Sequence, residues 1–521
     1  MPITKMLSMN AKVYPNKTSL IERDPALGIR REITWLEFDN LSNQLANALI
    51  SHGIKKNDKV AILMMNCLEW LPIYFGILKT GALAVPLNFR FTADEIKKCL
   101  ETAGAKVLIF GPEFEERVKD IVDEIHGLQH AFFLGDKQLP GIPNFFDIIK
   151  DAPVDSPDID ITDDEDAALY FTSGTTGIPK PILLTHSNLV SACITESHHH
   201  LQTHEDNFLC IPPLYHTGAK MHWLGSLMVG SKAVILKGVK PEYILEAVSE
   251  EQATIVWLLV PWAQDILEAI ESGQVDLGDY KLDQWRLMHI GAQPVPPSLI
   301  KRWRKYFPNQ AYDTNYGLSE STGPGCVHLG MDNIHKVGAI GKPGFNWQAK
   351  IVDDKGNVLP PGRTGELLVK GPGVMKGYYN NEEETKRVLK NGWLHTGDMA
   401  RQDSEGFIYL VDRKKDIIIS GGENIFPVEI EDFLQEHQDI KDAAVIGMPD
   451  KRLGEIPIAI VELKNGRQLN ESAVLEFCEA LPRYKRPRKI IFDKVPRNPT
   501  GKIEKPLLRE KWCGKPVAVL V

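Results

Sequence analysis

Apolar positions along the first hundred residues switch between two periods. Leu41, Leu45 and Leu49 recur every fourth residue, the spacing of one helix face. Thr34 and Glu37 stand where a capping box would open that helix, and Gly53 where a left-handed residue would end it. Val60 to Met64 follows as a continuous apolar run of buried-strand type. A helical stretch through Tyr74 and Leu78 to Gly81 comes next, and then the apolar run Ala82 to Leu87. Helices and strands alternating at these lengths predict right-handed crossovers and a mostly parallel sheet covered on both faces. The same rhythm returns between Pro241 and Tyr316, so the body reads as α/β.

Beyond about Gly338 the texture changes. Short strand-like runs, Ala349 to Val352 and Gly365 to Lys370, are separated by turns such as Asp353-Asp354-Lys355-Gly356 and Pro360-Pro361-Gly362. They predict a small β-barrel-like subdomain. The polar stretch Asp412-Arg413-Lys414-Lys415-Asp416 reads as a hinge. It divides the chain into an N-terminal domain, 1–412, with two sheet-and-helix subdomains plus the β-rich one, and a small α+β C-terminal domain, 413–521. A length of 521 residues accommodates this division.

Composition narrows the class. With 60 Lys+Arg against 69 Asp+Glu the net charge is −9, which gives no global reason to bind nucleic acid or an anionic membrane. Seven cysteines, never spaced C-x-x-C, weigh against a disulfide framework or structural zinc and fit a reducing compartment. The N-terminus leads into no apolar run of secretory type, and stretches such as Ile255 to Val260 are far too short to span a bilayer. A cytoplasmic location is expected, as a monomer or homodimer with small-molecule partners.

The segment richest in chemistry is Thr172-Ser173-Gly174-Thr175-Thr176-Gly177-Ile178-Pro179-Lys180. Small residues let backbone N–H groups approach a polyanion, hydroxyls add donors, and the lysine adds a point charge. Ala167 to Phe171 reads as a strand before it and Ile182-Leu183-Leu184 as one after it. A P-loop of the G-K-[ST] kind would instead open directly into a helix. The alternatives here are a phosphate loop inside a strand–loop–strand hairpin or a plain Ser/Thr/Gly turn.

The segment resembles the phosphate loop of the adenylate-forming superfamily of acyl-CoA synthetases, peptide-synthetase adenylation domains and luciferases. Further matches follow in the family's order: Tyr316-Gly317-Leu318-Ser319-Glu320, Gly392 to Asp398, Asp412 to Asp416, Ser420 to Ile425, and Pro499-Thr500-Gly501-Lys502. The likeness spans essentially the whole chain and lies nearest the AMP-forming acyl-CoA synthetases. It implies a carboxylate–CoA ligase that makes an acyl-adenylate and pyrophosphate from ATP, then passes the acyl group to coenzyme A, by reversible chemistry. A stand-alone enzyme loading a carrier protein is the alternative.

The resemblance also implies roles. Thr172, Ser173, Gly174, Thr175, Thr176 and Lys180 would cradle the β/γ-phosphates, and Glu320 with Thr175 would hold Mg²⁺. Gly291, Ala292, Gln293, Asp313, Asn315, Tyr316, Gly317 and Ser319 would surround the nucleotide. Asp398 would accept the ribose hydroxyls with Arg413 beside it, and Lys502 would be the catalytic lysine of adenylation. The C-terminal domain would then swing about Lys415, withdrawing Lys502 and bringing in Ser420, Gly421 and Gly422 to line a tunnel for the CoA thiol. Each position has a plainer reading in isolation: Glu320 as a solvated carboxylate, Asp398 as an Asx turn, Lys502 as a surface lysine.

The basic run Arg483 to Lys489, with Arg483 and Lys485, is a candidate for the CoA phosphates. His216, in Pro212 to Gly218, resembles the residue that gates carboxylate entry. No Asp stands in that run to pair a substrate ammonium, which argues against an amino acid. Trp223, Val260, Trp262 and Gly291 are expected to bound the acyl group, and bulky Trp262 favours a short, medium-chain, alicyclic or aromatic acid. One departure is Pro181, where the family usually has glycine after the lysine; proline fixes φ and lacks an N–H. His198-His199-His200 with His204 reads as a polar surface cluster rather than a metal site.

Overall fold

The computed structural model describes residues 1–172, 180–291, 295–328, 330–421, 423–498 and 502–514. Two seven-stranded sheets form its body. The first runs, in spatial order, Ala311–Asp313, Leu287–Gly291, Ile255–Leu259, Asn207–Cys210, Lys232–Leu236, Thr18–Asp24 and Ile29–Thr34. It is parallel throughout except for the last pair, a hairpin. The second runs Gly377–Tyr378, Lys180–Thr185, Asp166–Thr172, Leu83–Pro86, Lys59–Leu63, Val107–Phe110 and His130–Phe133. Its parallel strands are the continuous apolar runs expected of sheets covered on both faces.

Between the two sheets lies the largest core, which draws on Trp35, Phe38 and Leu45, on Trp70 to Leu78, and on Trp223 and Leu227. A second core packs the helices Pro241–Glu251, Val260–Glu271 and Pro297–Tyr306 on the outer face of the first sheet. A third packs Ala93–Ala103 behind the second sheet. The Thr34/Glu37 capping box opens the helix Trp35–Ser51, and Gly53 follows it at φ +85°. An unforeseen amphipathic helix, Ile3–Val13, buries Ile3, Leu7 and Ala11 at i, i+4, i+8.

The region after Gly338 contains a five-stranded antiparallel sheet built on Gln348–Val352, Thr364–Lys370 and Trp393–Gln402, with Ile408–Arg413 alongside. From Ile418 onward the chain has its own sheet and two apolar clusters that draw on no earlier residue. All seven cysteines are free. Among the described residues no helix is long and apolar enough to cross a membrane.

The histidine run is a surface cluster only in part. His200 is buried at the end of the helix His186–His200, its Nε2 donating to Asp313 Oδ2 at 2.8 Å and its Nδ1 facing Glu196 Oε2 at 3.3 Å. His199 Nε2 accepts from the Phe345 N–H at 2.8 Å, and His198 stacks on Phe345. His198 and His204 are exposed, the latter beside Glu205.

Candidate active site

Local pairing builds one corner of the site. In the strands Trp393–Gln402 and Ile408–Arg413 the register sets Asp398 opposite Arg413, with an irregularity just after Asp398. Gly397 takes φ +71°, a turn that glycine accommodates without strain. The Thr396 hydroxyl accepts the Asp398 N–H at 3.1 Å and fixes the carboxylate's direction. Asp398 Oδ2 accepts the Tyr316 hydroxyl at 2.6 Å, and Arg413 Nε stands 3.3 Å from Oδ1. Burial, followed by the Asp398 charge and hydrogen bond, pushes the Tyr316 hydroxyl well above the usual phenol range. Gly317 has Gly323 O only 2.5 Å from where a Cβ would stand, so close backbone packing excludes a side chain.

Lys502 reaches this corner from the far end of the chain. It is half-buried, at the base of a hairpin whose arms meet through the Arg497–Ile503 bridge and the Asn498 N–H to Lys502 O bond of 2.9 Å. Burial pushes its ammonium down to about 8, Arg413 and Lys415 adding to that effect while Asp398 and Glu320 oppose it. His216 caps the helix Thr217–Val229, its Nδ1 accepting the Gly218 N–H at 3.1 Å. Burial, with Lys502 and Lys220 adding to it, pushes the His216 imidazole down to about 3, so this ring is neutral at ordinary pH. Glu320 Oε1 accepts the Tyr378 hydroxyl at 3.0 Å, and Ser319 Oγ meets Thr217 Oγ1 at 3.3 Å. One cleft therefore gathers a cation, a neutral imidazole and two carboxylates drawn from segments almost 300 residues apart.

The hairpin expected around the phosphate loop is present. Asp166–Thr172 pairs antiparallel with Lys180–Thr185, Thr172 opposite Lys180. Lys180 Nζ lies 2.5 Å from Glu384 Oε1 and over the Tyr378 ring. Pro181 sits within the strand, its carbonyl accepting the Tyr379 N–H at 2.9 Å. Ser173, Gly174, Thr175, Thr176, Ala292, Gln293, Gly422 and Pro499 to Gly501 lie outside the described residues.

Several expected positions are elsewhere. Trp223 points into the core against Phe38 and Phe75, not toward a pocket. Val260 and Trp262 pack into the core on the opposite face of the first sheet. Both open the helix Val260–Glu271 that follows the strand Ile255–Leu259 and crosses to that face. Asp313 is held between His200 and His289; burial raises its carboxyl, but both histidines together hold it well below the usual range. Asn315 donates to Glu196 Oε1 at 2.9 Å. Lys485 is ion-paired with Glu429, while Arg483 is exposed. Ser420 and exposed Gly421, at φ +60°, form the turn between Ile418–Ser420 and Glu423–Ile425.

Two residues of the first sheet beside the expected Gly291 and Asp313, Trp257 and His289, were not among the expected positions. Trp257, His289 and Asp313 stand in register on three adjacent parallel strands, and Leu259 stands opposite Gly291. The Trp257 and His289 rings meet edge to face at 5.9 Å. The uniformly apolar run Ile255 to Val260 does not single out Trp257, and the pairing register that aligns it with His289 is not local in the sequence.

Comparison with known proteins agrees with this geometry. Residues 7–379 match the family model of the AMP-binding enzyme, and residues 429–502 that of the AMP-binding enzyme C-terminal domain. The chain is 32% identical over 511 residues to a long-chain-fatty-acid–CoA ligase of Mycobacterium tuberculosis, covering 98% of each. It is 33% identical over 506 residues to a feruloyl-CoA synthase of Amycolatopsis sp, covering 96% of this chain and 97% of that one. The crystal structure of an anthranilate CoA ligase in complex with anthranoyl-AMP is similar at TM-score 0.88 and 27% identity, over 98% of this chain and 97% of that one.

Proposed function

The chain belongs to the AMP-binding enzyme family and is an acid–thiol ligase of the acyl-CoA synthetase kind, and from that premise we propose how its own residues divide the reaction. In the first half a carboxylate oxygen attacks the α-phosphorus of ATP, forming the acyl-adenylate and expelling pyrophosphate. Two anions must meet, so the site has to neutralise charge as it develops. The Lys502 ammonium lies beside His216 and in the field of Asp398, Glu320 and Arg413, and that placement carries the reading. It would bridge the incoming carboxylate and the α-phosphate.

Asp398 would take the ribose hydroxyls on the carboxylate oxygens that Tyr316 and Arg413 hold in place. Neutral His216 would border the carboxylate's entry without adding a second cation. Lys180 would exchange Glu384 for a phosphate oxygen. Glu320, a hard oxygen donor set beside the Tyr378 hydroxyl, suits Mg²⁺, which would supply further neutralisation of the phosphates.

In the second half the CoA thiolate attacks the acyl carbonyl, AMP leaves, and the thiol proton passes to solvent. Lys502 has no role there. We assign the boundary between the domains to 412/413 and the pivot to Lys415, which lies in the turn joining Ile408–Arg413 to Ile418–Ser420. The acid is a compact one, alicyclic or aromatic or of short to medium chain. A carrier protein as acceptor is not favoured, since the relatives are CoA ligases by name.

The test is carboxylate-dependent exchange of labelled pyrophosphate into ATP without CoA, over short, branched, alicyclic and aromatic acids. AMP release with CoA and with a pantetheinylated carrier is followed in parallel. Exchange with a compact acid and CoA-driven AMP release are expected. ATP binding without exchange for any acid would overturn the assignment.

A further inference from the structure

The helix Pro427–Gln435, the first of the C-terminal domain, opens without a cap of its own. Its N-cap residue, Phe426, makes no side-chain bond to it, and Pro427 at the first position has no N–H. The N–H of Val428 is therefore the first donor that needs a partner. That partner comes from the other side of the hinge. Asp412 Oδ2, near the end of the strand Ile408–Arg413, accepts the Val428 N–H at 3.1 Å, while Oδ1 accepts the Arg413 N–H at 2.7 Å. We propose that Asp412 is a positioning residue for adenylation: its carboxylate caps this helix across the hinge and holds the C-terminal domain where Lys502 reaches the cleft. The inference rests on the pivot at Lys415 and names a bond that must break before the domain turns.

Position relative to the pivot separates this bond from its neighbours. Lys505 Nζ lies 2.9 Å from Glu431 Oε1, which also accepts the Val445 N–H at 2.7 Å, and Arg509 lies 2.8 Å from Asp416 Oδ1. All of these residues follow Lys415, so the pairs travel with the domain. Asp412 precedes the pivot and is fixed to the N-terminal domain, where it stands opposite Met399 on the strand Trp393–Gln402. A rotation at Lys415 carries Val428 away and leaves Asp412 behind.

The electrostatics favour the closed bond. Asp412 is buried, and burial pushes its carboxyl up to about 6, Lys505 opposing that and Glu431 adding to it, so the group is an anion at neutral pH. It faces the positive end of the helix dipole, where a negative charge is stabilising. Lys505 is attracted to Asp412 and Asp416 as well as to Glu431, and it opens the helix Lys505–Cys513 just after the Lys502 hairpin. The carboxylate that caps one helix thus also attracts the base of the hairpin that carries Lys502. Removing Asp412 leaves Lys505 paired with Glu431, so no buried charge is stranded.

Pyrophosphate exchange reports the arrangement with Lys502 in the cleft, and thioester formation from preformed acyl-adenylate reports the other. The ratio of the second rate to the first follows the equilibrium between them, whichever arrangement predominates. Asp412→Ala should raise that ratio about fivefold, the scale of one lost helix cap, with the ATP dissociation constant by calorimetry unchanged. Asp412→Asn keeps an oxygen acceptor and should return the ratio to within about twofold of the wild type. A ratio within one preparation is indifferent to partial misfolding, which lowers both rates together. An unchanged ratio in Asp412→Ala would overturn the inference. So would a ratio shifted equally in Asp412→Asn, or a weaker ATP affinity that accounts for the lost exchange. Lys415→Pro, run alongside, tests the pivot itself: equal effects on both half-reactions would remove the alternation reading and this inference with it. A clear split with Lys415→Pro and none with Asp412→Ala would leave alternation standing without this latch.

Discussion

The charge state of Lys502 gives the sharpest test of the adenylation chemistry. An ordinary lysine titrates near 10.4, whereas burial brings this one to about 8. At pH 7 roughly nine-tenths of the side chain is then ammonium, and at pH 9 roughly one-tenth. A step that needs the cation should lose about ninefold across that interval and about tenfold per unit beyond it. The assay is kcat/KM for ATP in pyrophosphate exchange without CoA, which reports the free enzyme and contains no titrating thiol. Lys502→Ala should cost about 10²–10³-fold, the usual scale for a preorganised group that meets developing charge. Lys502→Arg, slower because its fork is differently shaped, should keep its rate up to pH 9. Thioester formation from preformed acyl-adenylate should be nearly untouched in both variants. The same shift has a stability signature whose sign can be worked out. The folded pKa lies below the unfolded one, so the penalty of holding the ammonium is complete below about pH 8 and fades as pH rises toward 10.4. Lys502→Met should therefore raise the urea midpoint at pH 7 and lose that advantage by pH 10.5. An exchange profile flat between pH 7 and 9, or equal losses in both half-reactions for Lys502→Ala, would refute the reasoning.

Three further outcomes are expected. Lys415→Pro, placed in the turn between the two domains, should leave exchange nearly intact and slow CoA-dependent thioester formation by about 100-fold, the scale of a misplaced reacting group; rapid-quench measurement of each half-reaction decides it. Glu384→Gln removes the anion 2.5 Å from Lys180; a partly exposed pair of this kind is worth up to about 1 kcal/mol, so the ATP dissociation constant by calorimetry should fall up to about fivefold. Asp313→Asn takes the carboxylate from between His200 and His289; breaking a buried charge pair costs about 3 kcal/mol, to be read as a lower urea midpoint with unchanged slope.

What was legible in the sequence was local. The capping box at Thr34 and Glu37 and the hairpin on either side of the phosphate loop each depend on residues within a few positions or on one strand pair. Order along the chain made the motifs recognisable, and they lead to Lys502, Glu320, Tyr316 and Asp398, which the fold brings together. The acyl side depends on a different kind of information. Ile255 to Val260 is apolar at every position, so its hydropathy carries no period and does not say which residues face the cleft. The fold sends Val256, Leu258 and Val260 to the outer core and Trp257 inward to the edge of His289. Register across three parallel strands, set by crossover helices tens of residues long, decided that choice. His200 shows the same effect in a polar residue. Its neighbours His198, His199 and His204 suggested a solvated face, but its partners Asp313 and Glu196 lie on another strand and one helical turn back. A buried imidazole is tolerated only where such partners meet it, and tertiary pairing supplied the more distant one.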